Sequence, residues 1–506
     1  ATDPTGAPVI TINALTRRAL PTTFDSHRLT HAGLRNSLLQ LDWPTLTPHH
    51  FPVAPSPPTW TLISDQRDPL RASLPASTLG TDLAQADPTH SAVVIWALPL
   101  LKPTDNQDLP QQVHALIGHI LTRLQHWLAR PDTLHTPLVV VTHHGVATSS
   151  SDAPPELAHA AAWALVHTAQ NEHPGRISLI DTDHSPASEH TLSNVFAALT
   201  HQPHIEPQLA LRDGQAHIPR LTPTTLMPAS NPMAFDAERT VLITGGTGML
   251  GGVFAEHLVS HYGVGHLLLV SRRGLGAPGA VELHQRLTQL GARVTITACD
   301  LTDPAELSAV LDGIEAAHPL GAVIHTAGVV DDAVISELTT AQVDRVLAAK
   351  ADTAWYLHEL TAGKDLSAFV MFSSAAGVLG NPGQANYAAA NAFVDALAHH
   401  RHRRQLPALS LAWGYWQTPS AMTAHLDPKD QARFARTGML AITTAQGLQL
   451  FDTALAGQQP SLIPLPLNRQ TLTRQARQHQ LAPILSALTT VRPQAHSPAS
   501  TVMAQL

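Results

Sequence analysis

Val241-Leu-Ile-Thr-Gly-Gly-Thr-Gly-Met-Leu-Gly251 reads as a run of β-branched and apolar residues, then a glycine-rich turn, then the start of a helix. Gly245, Gly248 and Gly251 stand at GxxGxxG spacing, with Gly246, Thr247 and Leu250 completing the turn. Such a turn brings backbone N–H groups and a helix N-terminus against a pyrophosphate. The next strand-like run ends in Ser271-Arg272-Arg273, where a fold selective for NAD places an acidic residue for the ribose 2′-hydroxyl; arginines suit a 2′-phosphate instead. Later strands are expected to end at Asp300-Leu301 and at Thr326-Ala327-Gly328, the C-terminal edge at which open α/β sheets bind ligands. Asp300 is placed there to accept from an adenine amine, and Thr326 to Gly328 to flank a nicotinamide.

Working outward, strand-like and helix-like segments alternate along most of the chain, the pattern of an α/β fold with a parallel sheet. It occurs twice. The first half offers strands at 92–98, 138–142 and 177–181, with helices near 111–128 and 155–172. The second offers strands at 241–244, 266–271, 293–298, 322–325, 368–373 and 408–413. Proline-rich residues 219–235 look like the joint, and only the second half carries a glycine turn.

At 506 residues the chain exceeds what one hydrophobic core ordinarily holds, roughly 250–300 residues. Charged residues are 13%, the net charge is −8, and no basic run extends beyond His399 to Arg404, which argues against nucleic acid as a partner. The longest apolar stretch, Ala92 to Leu101, is far short of the roughly 20 residues of a membrane span, and no secretion signal is seen. Cys299, the one cysteine, forbids an internal disulfide and fits a reducing cytosol, so a cytoplasmic location is expected. Histidines number 32 but lack Cys or Glu partners at ligand spacing, so no metal is expected.

Ser374 is expected at the end of the fifth strand of the second half, and Tyr387 thirteen residues on at the start of a helix whose face it shares with Asn391. A phenol with an ordinary pKa near 10 needs a positive neighbour to serve as a proton donor at neutral pH. The chain has four lysines, and Lys350 falls on the apolar stripe of Val343, Val346, Leu347, Ala354 and Leu357. A lysine there is costly without a partner.

The segments GGTGMLGG, VSRRG, ACDLTD, HTAGVVDD, FSSAAGVLGNPGQANYAAANAFVDALA and SLAWGYW resemble the ketoreductase domain of modular type I polyketide synthases, a branch of the short-chain dehydrogenase/reductases. Leu41-Asp42-Trp43 and the stretch Trp163 to Gly175 resemble that family's non-catalytic subdomain. The resemblance implies a Rossmann-like, doubly wound parallel sheet in two related subdomains, a truncated structural half and a catalytic half. It divides the chain into 1–24 (remnant of a preceding domain or linker), 25–232 (structural), 233–468 (catalytic) and 469–506 (linker toward a carrier domain). Simple short-chain reductases carry Tyr-x-x-x-Lys, whereas Asn391 stands at that lysine's place here. In the ketoreductase branch the two residues are exchanged between helices, which implies Lys350 as the tyrosine-tuning cation and Asn391 as part of the polar relay. NADPH would then reduce a β-ketoacyl carbon, with Ser374 and Tyr387 holding the oxygen.

The family's Leu-Asp-Asp motif marks B-type enzymes, which form the (3R) or D alcohol; here it reads Val330-Asp331-Asp332. A-type enzymes have tryptophan eight residues before the tyrosine, where this chain has Leu379. Pro382 and Asn386 also fit the B-type pattern, and Ala421 to Leu440 resembles a mobile lid with Met422 near the entrance. Carrier, condensing and acyltransferase motifs are absent, so the resemblance implies a phosphopantetheine-tethered substrate on an acyl carrier domain. Neighbouring synthase domains are implied too, with a dehydratase upstream suggested by Gly6 to Arg17. Three alternatives stand beside this reading: a non-reducing or epimerising relative, a free-standing dehydrogenase and a nucleotide-sugar epimerase. The first would have lost Tyr387, Asn391 or the glycine turn, the second has no need of the long first half, and the third expects Tyr-x-x-x-Lys.

Overall fold

The computed structural model describes residues 33, 36–46, 60–66, 68–73, 78–88, 91–101, 109–149, 151–201, 206–225, 232–418 and 436–490. Sixteen strands form two sheets among these residues. β1 (Leu38–Asp42) leads the chain, and β2 (Trp60–Ile63), β3 (Thr78–Gly80), β4 (Val93–Ala97), β5 (Leu138–His143), β6 (Ile177–Thr182), β7 (Gln208–Arg212) and β8 (Gln215–His217) follow. β2 to β8 make one sheet, ordered β3-β2-β4-β5-β6-β7-β8 and parallel except for the β7–β8 hairpin. β4 and β5 are buried along their whole length, which is why they read as unbroken apolar runs rather than as alternation.

After β9 (Arg220–Pro223), the second sheet is built from β10 (Thr240–Thr244), β11 (His266–Ser271), β12 (Arg293–Ala298), β13 (Leu320–His325), β14 (Ala368–Ser374), β15 (Leu409–Trp413) and β16 (Ser461–Pro464). Its order is β12-β11-β10-β13-β14-β15-β16-β1-β9, parallel from β12 to β16. The order reverses between β10 and β13, and that switch point opens a crevice at the strands' C-terminal ends. The glycine turn leaves β10 directly into it.

β1 and β9 were expected to belong to the structural half, yet they complete the second sheet, β1 antiparallel to both β16 and β9. Hydrogen bonding thus crosses the expected boundary at 232/233. A helical pair does so too: Leu157–Glu172 from the first half packs on Ala385–Arg403 from the second. Both helices are rich in buried alanines (Ala158, Ala161 and Ala162 in one, Ala389, Ala396 and Ala398 in the other), and they share one core with Trp163, Leu165, Phe393 and Leu397. Each buried large side chain there contributes about 1.5–3 kcal/mol.

The tail departs from the expected linker as far as Leu488. Helix Arg469–Arg477 and the 3₁₀ turn Pro483–Leu488 bury Leu472, Leu485 and Leu488 against Leu39, Leu221 and Ile463. Their apolar spacing outweighs a composition that is polar on average. The expected remnant at 1–24 and the end of the linker, 491–506, lie outside the described residues. No helix of the described residues is long and apolar enough to cross a membrane.

Candidate active site

Gly245 has a φ of 66°, and a Cβ on it would lie 3.0 Å from Ala327 Cα. A Cβ on Gly251 would lie 2.5 Å from Gly245 O, closer than atoms tolerate. Glycine is required at both, one for the turn and one for the packing of helix Met249–Tyr262 on it. Gly248 caps that helix, leaving its first N–H groups facing the crevice as an anion cradle, with Thr247 and Leu250 beside them. At the end of β11, Ser271 Oγ is buried with no hydrogen-bond partner among the described residues, and Arg272 and Arg273 are exposed next to it. A buried hydroxyl without a partner among the described residues, two exposed guanidinium groups and a turn with no room for a Cβ at Gly245 or Gly251 are compatible with a dinucleotide that carries a 2′-phosphate.

Asp300 is less free than its place in the sequence suggests: Oδ1 accepts from Thr302 N (3.0 Å) and Thr302 Oγ1 (2.8 Å), bonds that hold its carboxyl below the usual range. Leu301 is buried beside it. Thr326 Oγ1 donates to Thr244 O at 2.7 Å, fixing the turn that carries Ala327 and Gly328 over the glycine loop.

Lys350, Ser374 and Tyr387 converge on one cavity of about 170 Å³, together with Leu250, Thr326 and Leu379. Ser374 ends β14 and caps helix Ala375–Leu379, its Oγ accepting from Ala376 N at 3.2 Å. Tyr387 lies in the first turn of helix Ala385–Arg403, with Lys350 Nζ 5.5 Å from its ring centroid. Lys350 is 3% exposed and sits in a five-residue π-turn, Ala348–Asp352, between two α-helical segments. π-turns of this kind re-aim side chains at functional sites. Burial brings the Lys350 ammonium down to about 8, while the opposing charge of Asp395 holds it up. Asn391 stands behind the tyrosine, Nδ2 donating to Tyr387 O at 2.7 Å, and its Oδ1 is buried without a partner among the described residues.

The phenol differs from the expectation of a cation-lowered acid. Burial pushes Tyr387 up, hydrogen bonds with Asn391 and Ser374 pull it back, and the Asp332 carboxylate adds to the rise. Desolvation outweighs its polar neighbours in this apolar crevice.

The expected stereocontrol residues divide. Leu379 lines the cavity. Asp331 and Asp332 start no helix; they lie in a loop and act as anchors. Asp331 Oδ1 accepts from Gln342 Nε2 (2.9 Å), Oδ2 pairs with Arg345, and Asp332 Oδ2 accepts from Gln384 Nε2 (2.9 Å). Asn386 is fully buried away from the cavity, donating to Asp331 O at 2.8 Å and accepting Tyr387 N at 2.8 Å. Pro382 is exposed and lines a neighbouring cleft instead. Met422 lies outside the described residues, as does most of the expected lid.

Sequence reasoning missed the cavity's aromatic wall. Phe372, Trp413 and Trp416 line it; Phe254 backs both indoles at a centroid distance of 5.9 Å and is itself met edge-on by Phe372 and Phe451 at 4.7 and 4.8 Å. The motif Trp413-Gly-Tyr-Trp416 was the available signal. It also missed Glu172, whose carboxylate binds two loops of the second half, and a grouping of Glu238, His266 and His318 at the far end of the sheet. Ligand atoms of that trio lie within 4.8 Å of one another, but the two imidazoles stack face to face at 3.5 Å, a packing arrangement.

A glycine turn at the switch point, with serine, tyrosine and lysine sharing the crevice, defines an oxidoreductase site of the short-chain dehydrogenase/reductase class. Residues 239–418 match the family model described as "KR domain", and residues 41–221 match the Rossmann fold domain of polyketide synthase extender module SpnB. A solved structure titled "Structure of A-type Ketoreductases from Modular Polyketide Synthase" superposes with a TM-score of 0.78 at 32% identity, covering 90% of this chain and 98% of that one. Polyketide synthase GfsB of Streptomyces halstedii is 56% identical over 262 residues, 52% of this chain and 5% of that protein. Spectinabilin polyketide synthase system protein NorA of Streptomyces orinoci is 38% identical over 497 residues, 97% of this chain and 26% of that protein. The chain belongs to the ketoreductase domains of modular polyketide synthases, and it spans about a quarter or less of the length of these two curated relatives.

Proposed function

We propose that the chain reduces a β-ketoacyl thioester, carried on the phosphopantetheine arm of an acyl carrier domain, to the (3R) β-hydroxyacyl thioester with NADPH. The convergence of Ser374, Tyr387 and Lys350 on one cavity below the glycine turn carries this reading. Gly245 to Gly251 would hold the pyrophosphate, and Ser271, Arg272 and Arg273 the 2′-phosphate. When bound, the dinucleotide supplies the hydride that the carbonyl carbon accepts.

The chain's own residues manage the oxygen. The hydroxyls of Ser374 and Tyr387 donate to the substrate carbonyl, and as its π bond breaks the developing alkoxide takes the phenolic proton. Lys350, charged at neutral pH, steadies the phenolate left behind. The aromatic wall excludes water, which strengthens each of these interactions. Leu379, in place of a bulky tryptophan, and the anchored Asp331 loop support the B-type assignment. Bacterial relatives and the carrier-borne substrate support action in the cytoplasm among neighbouring synthase domains.

NADPH oxidation followed by absorbance, with a β-ketoacyl thioester and chiral analysis of the product, tests this. Turnover that Tyr387→Phe abolishes is expected. Equal rates for parent and variant would refute the mechanism, and an L alcohol would refute the stereochemical assignment alone.

A further inference from the structure

His325 ends β13 with no exposed surface, and both ring nitrogens are engaged: Nε2 lies 3.1 Å from Lys350 O and Nδ1 lies 2.7 Å from Thr244 Oγ1. A carbonyl only accepts, so Nε2 carries the proton. Burial, reinforced by the Lys350 charge, brings the imidazole down to about 3 and keeps the ring neutral, so Nδ1 accepts and the Thr244 hydroxyl donates. One tautomer satisfies both contacts.

Those contacts join the two halves of the site's machinery. Thr244 is the residue before the glycine turn, and Lys350 is the centre of the π-turn. Within that turn the Thr353 N–H is shared between Ala348 O and Lys350 O, which leaves the Lys350 carbonyl capacity for a second donor. An extra residue in a helix rotates every later side chain by about 100°, so the π-turn must be held if Lys350 is to stay on the Tyr387 side. Neither Ser374, Asn391 nor Tyr387 is hydrogen-bonded to the Lys350 backbone; His325 is.

We propose that His325 is a positioning residue for the reduction: its Nε2–H clamps the Lys350 carbonyl, holds the π-turn open, and ties the lysine's place over Tyr387 to the start of the dinucleotide turn. It touches neither substrate nor cofactor. The inference rests on the reading of Lys350 as the charge that supports Tyr387. The groups facing that ammonium are Tyr387 and Asp395 from helix Ala385–Arg403 and His325 from β13, with Asp332 acting on the phenol.

The test compares the full chain with His325→Asn, too short to reach the carbonyl, His325→Gln, whose amide keeps a donor there, and Thr244→Val, which frees the tautomer. Lys350→Met is the reference. Each is assayed for kcat, KM and the pH dependence of kcat with NADPH and a diffusible β-ketoacyl thioester, and its melting temperature and NADPH affinity are measured. His325→Asn is expected to lower kcat about 10- to 100-fold, the scale of a misplaced reacting group, with KM little changed. Its alkaline limb moves to higher pH as the lysine leaves its buried place. His325→Gln recovers most of the rate, and Thr244→Val shows a smaller loss in the same direction. A folded His325→Asn with parental kcat and pH limb, or a His325→Gln no faster than His325→Asn, overturns the proposal; if His325→Asn does not fold, an unmoved limb in Thr244→Val overturns it. Lys350→Met with parental kcat instead removes the reading of the lysine itself.

Discussion

Glu172 and Gly383 meet across 211 residues of sequence, Glu172 Oε1 accepting the Gly383 N–H at 2.7 Å. The other carboxylate oxygen accepts Ile335 N at 2.6 Å, and neighbouring Asn171 Nδ2 donates to Leu379 O (2.9 Å) and Gly380 O (2.7 Å). One helix end of the half without a glycine turn therefore fixes the loop carrying Asp331, the loop before Tyr387 and the residue lining the cavity at Leu379. Truncating Glu172 to Ala leaves two backbone donors unpaired, a cost of about 1–3 kcal/mol each where buried. Glu172→Ala is expected to lower the melting temperature and reduce kcat, while NADPH affinity, which the proposed function assigns to the glycine turn, stays near the parent value. Calorimetry and fluorescence titration check the two halves of that statement.

Particular residues show why some of this was legible in the sequence and some was not. The glycine turn, Ser374 and Tyr387 are local: a strand end, a fixed spacing and a helix start place them. Lys350 was legible because a charge on an apolar stripe is anomalous, although the π-turn that delivers it leaves no periodic mark. Glu172 reads as an ordinary last-turn residue, and β1 and β9 are short segments whose partners lie hundreds of residues away. Asn386 was assigned to stereocontrol because it fits the family's B-type pattern, yet helical rotation turns it to a different face from Tyr387, and it serves as an anchor.

Asp395 sets the charge of the lysine. Ser410 Oγ donates to its Oδ1 at 2.5 Å, and burial pushes its carboxyl up to about 7 against the pull of Ser410, Ser373 and Lys350. A carboxyl raised in the folded state binds more protons folded than unfolded between about pH 4 and 7, so its contribution falls as pH rises through that window. Asp395→Asn removes that dependence, and its stability is expected to decline less than the parent's from about pH 5 to pH 8. It also removes the opposing charge that holds the Lys350 ammonium up, so the alkaline limb of kcat moves to lower pH, opposite to the shift expected of His325→Asn. Denaturant titrations at several pH values and a pH–rate profile measure both.

Arg272 and Arg273 follow β11 directly, beside the Ser271 hydroxyl, which has no partner among the described residues. Two charge-assisted contacts to a 2′-phosphate are worth about 1.5–3 kcal/mol apiece, about 10- to 100-fold in affinity. Arg272→Ala or Arg273→Ala singly is expected to weaken NADPH binding on that scale while leaving NADH, which lacks the phosphate, nearly unaffected. Equal losses for the two dinucleotides would place the arginines elsewhere. High salt reduces the NADPH preference of the parent in the same direction, because both side chains are exposed.

Gly447, in helix Thr444–Leu455, makes room for the indole that closes the cavity: a Cβ there would lie 2.0 Å from the Trp416 ring. Replacing a helical glycine with alanine ordinarily gains up to about 1 kcal/mol. Here the methyl must displace Trp416, which is 7% exposed and packed against Phe254 and Trp413 at centroid distances of 5.9 and 5.0 Å. Overpacking of this kind costs about 1–3 kcal/mol, so the sign reverses and Gly447→Ala is expected to melt below the parent. The displaced ring has the cavity on its other side, so kcat/KM falls as well, and a compensating Trp416→Phe in the same chain restores both. A double-mutant cycle read in melting temperature and in kcat/KM separates the clash from any independent effect of the shorter ring.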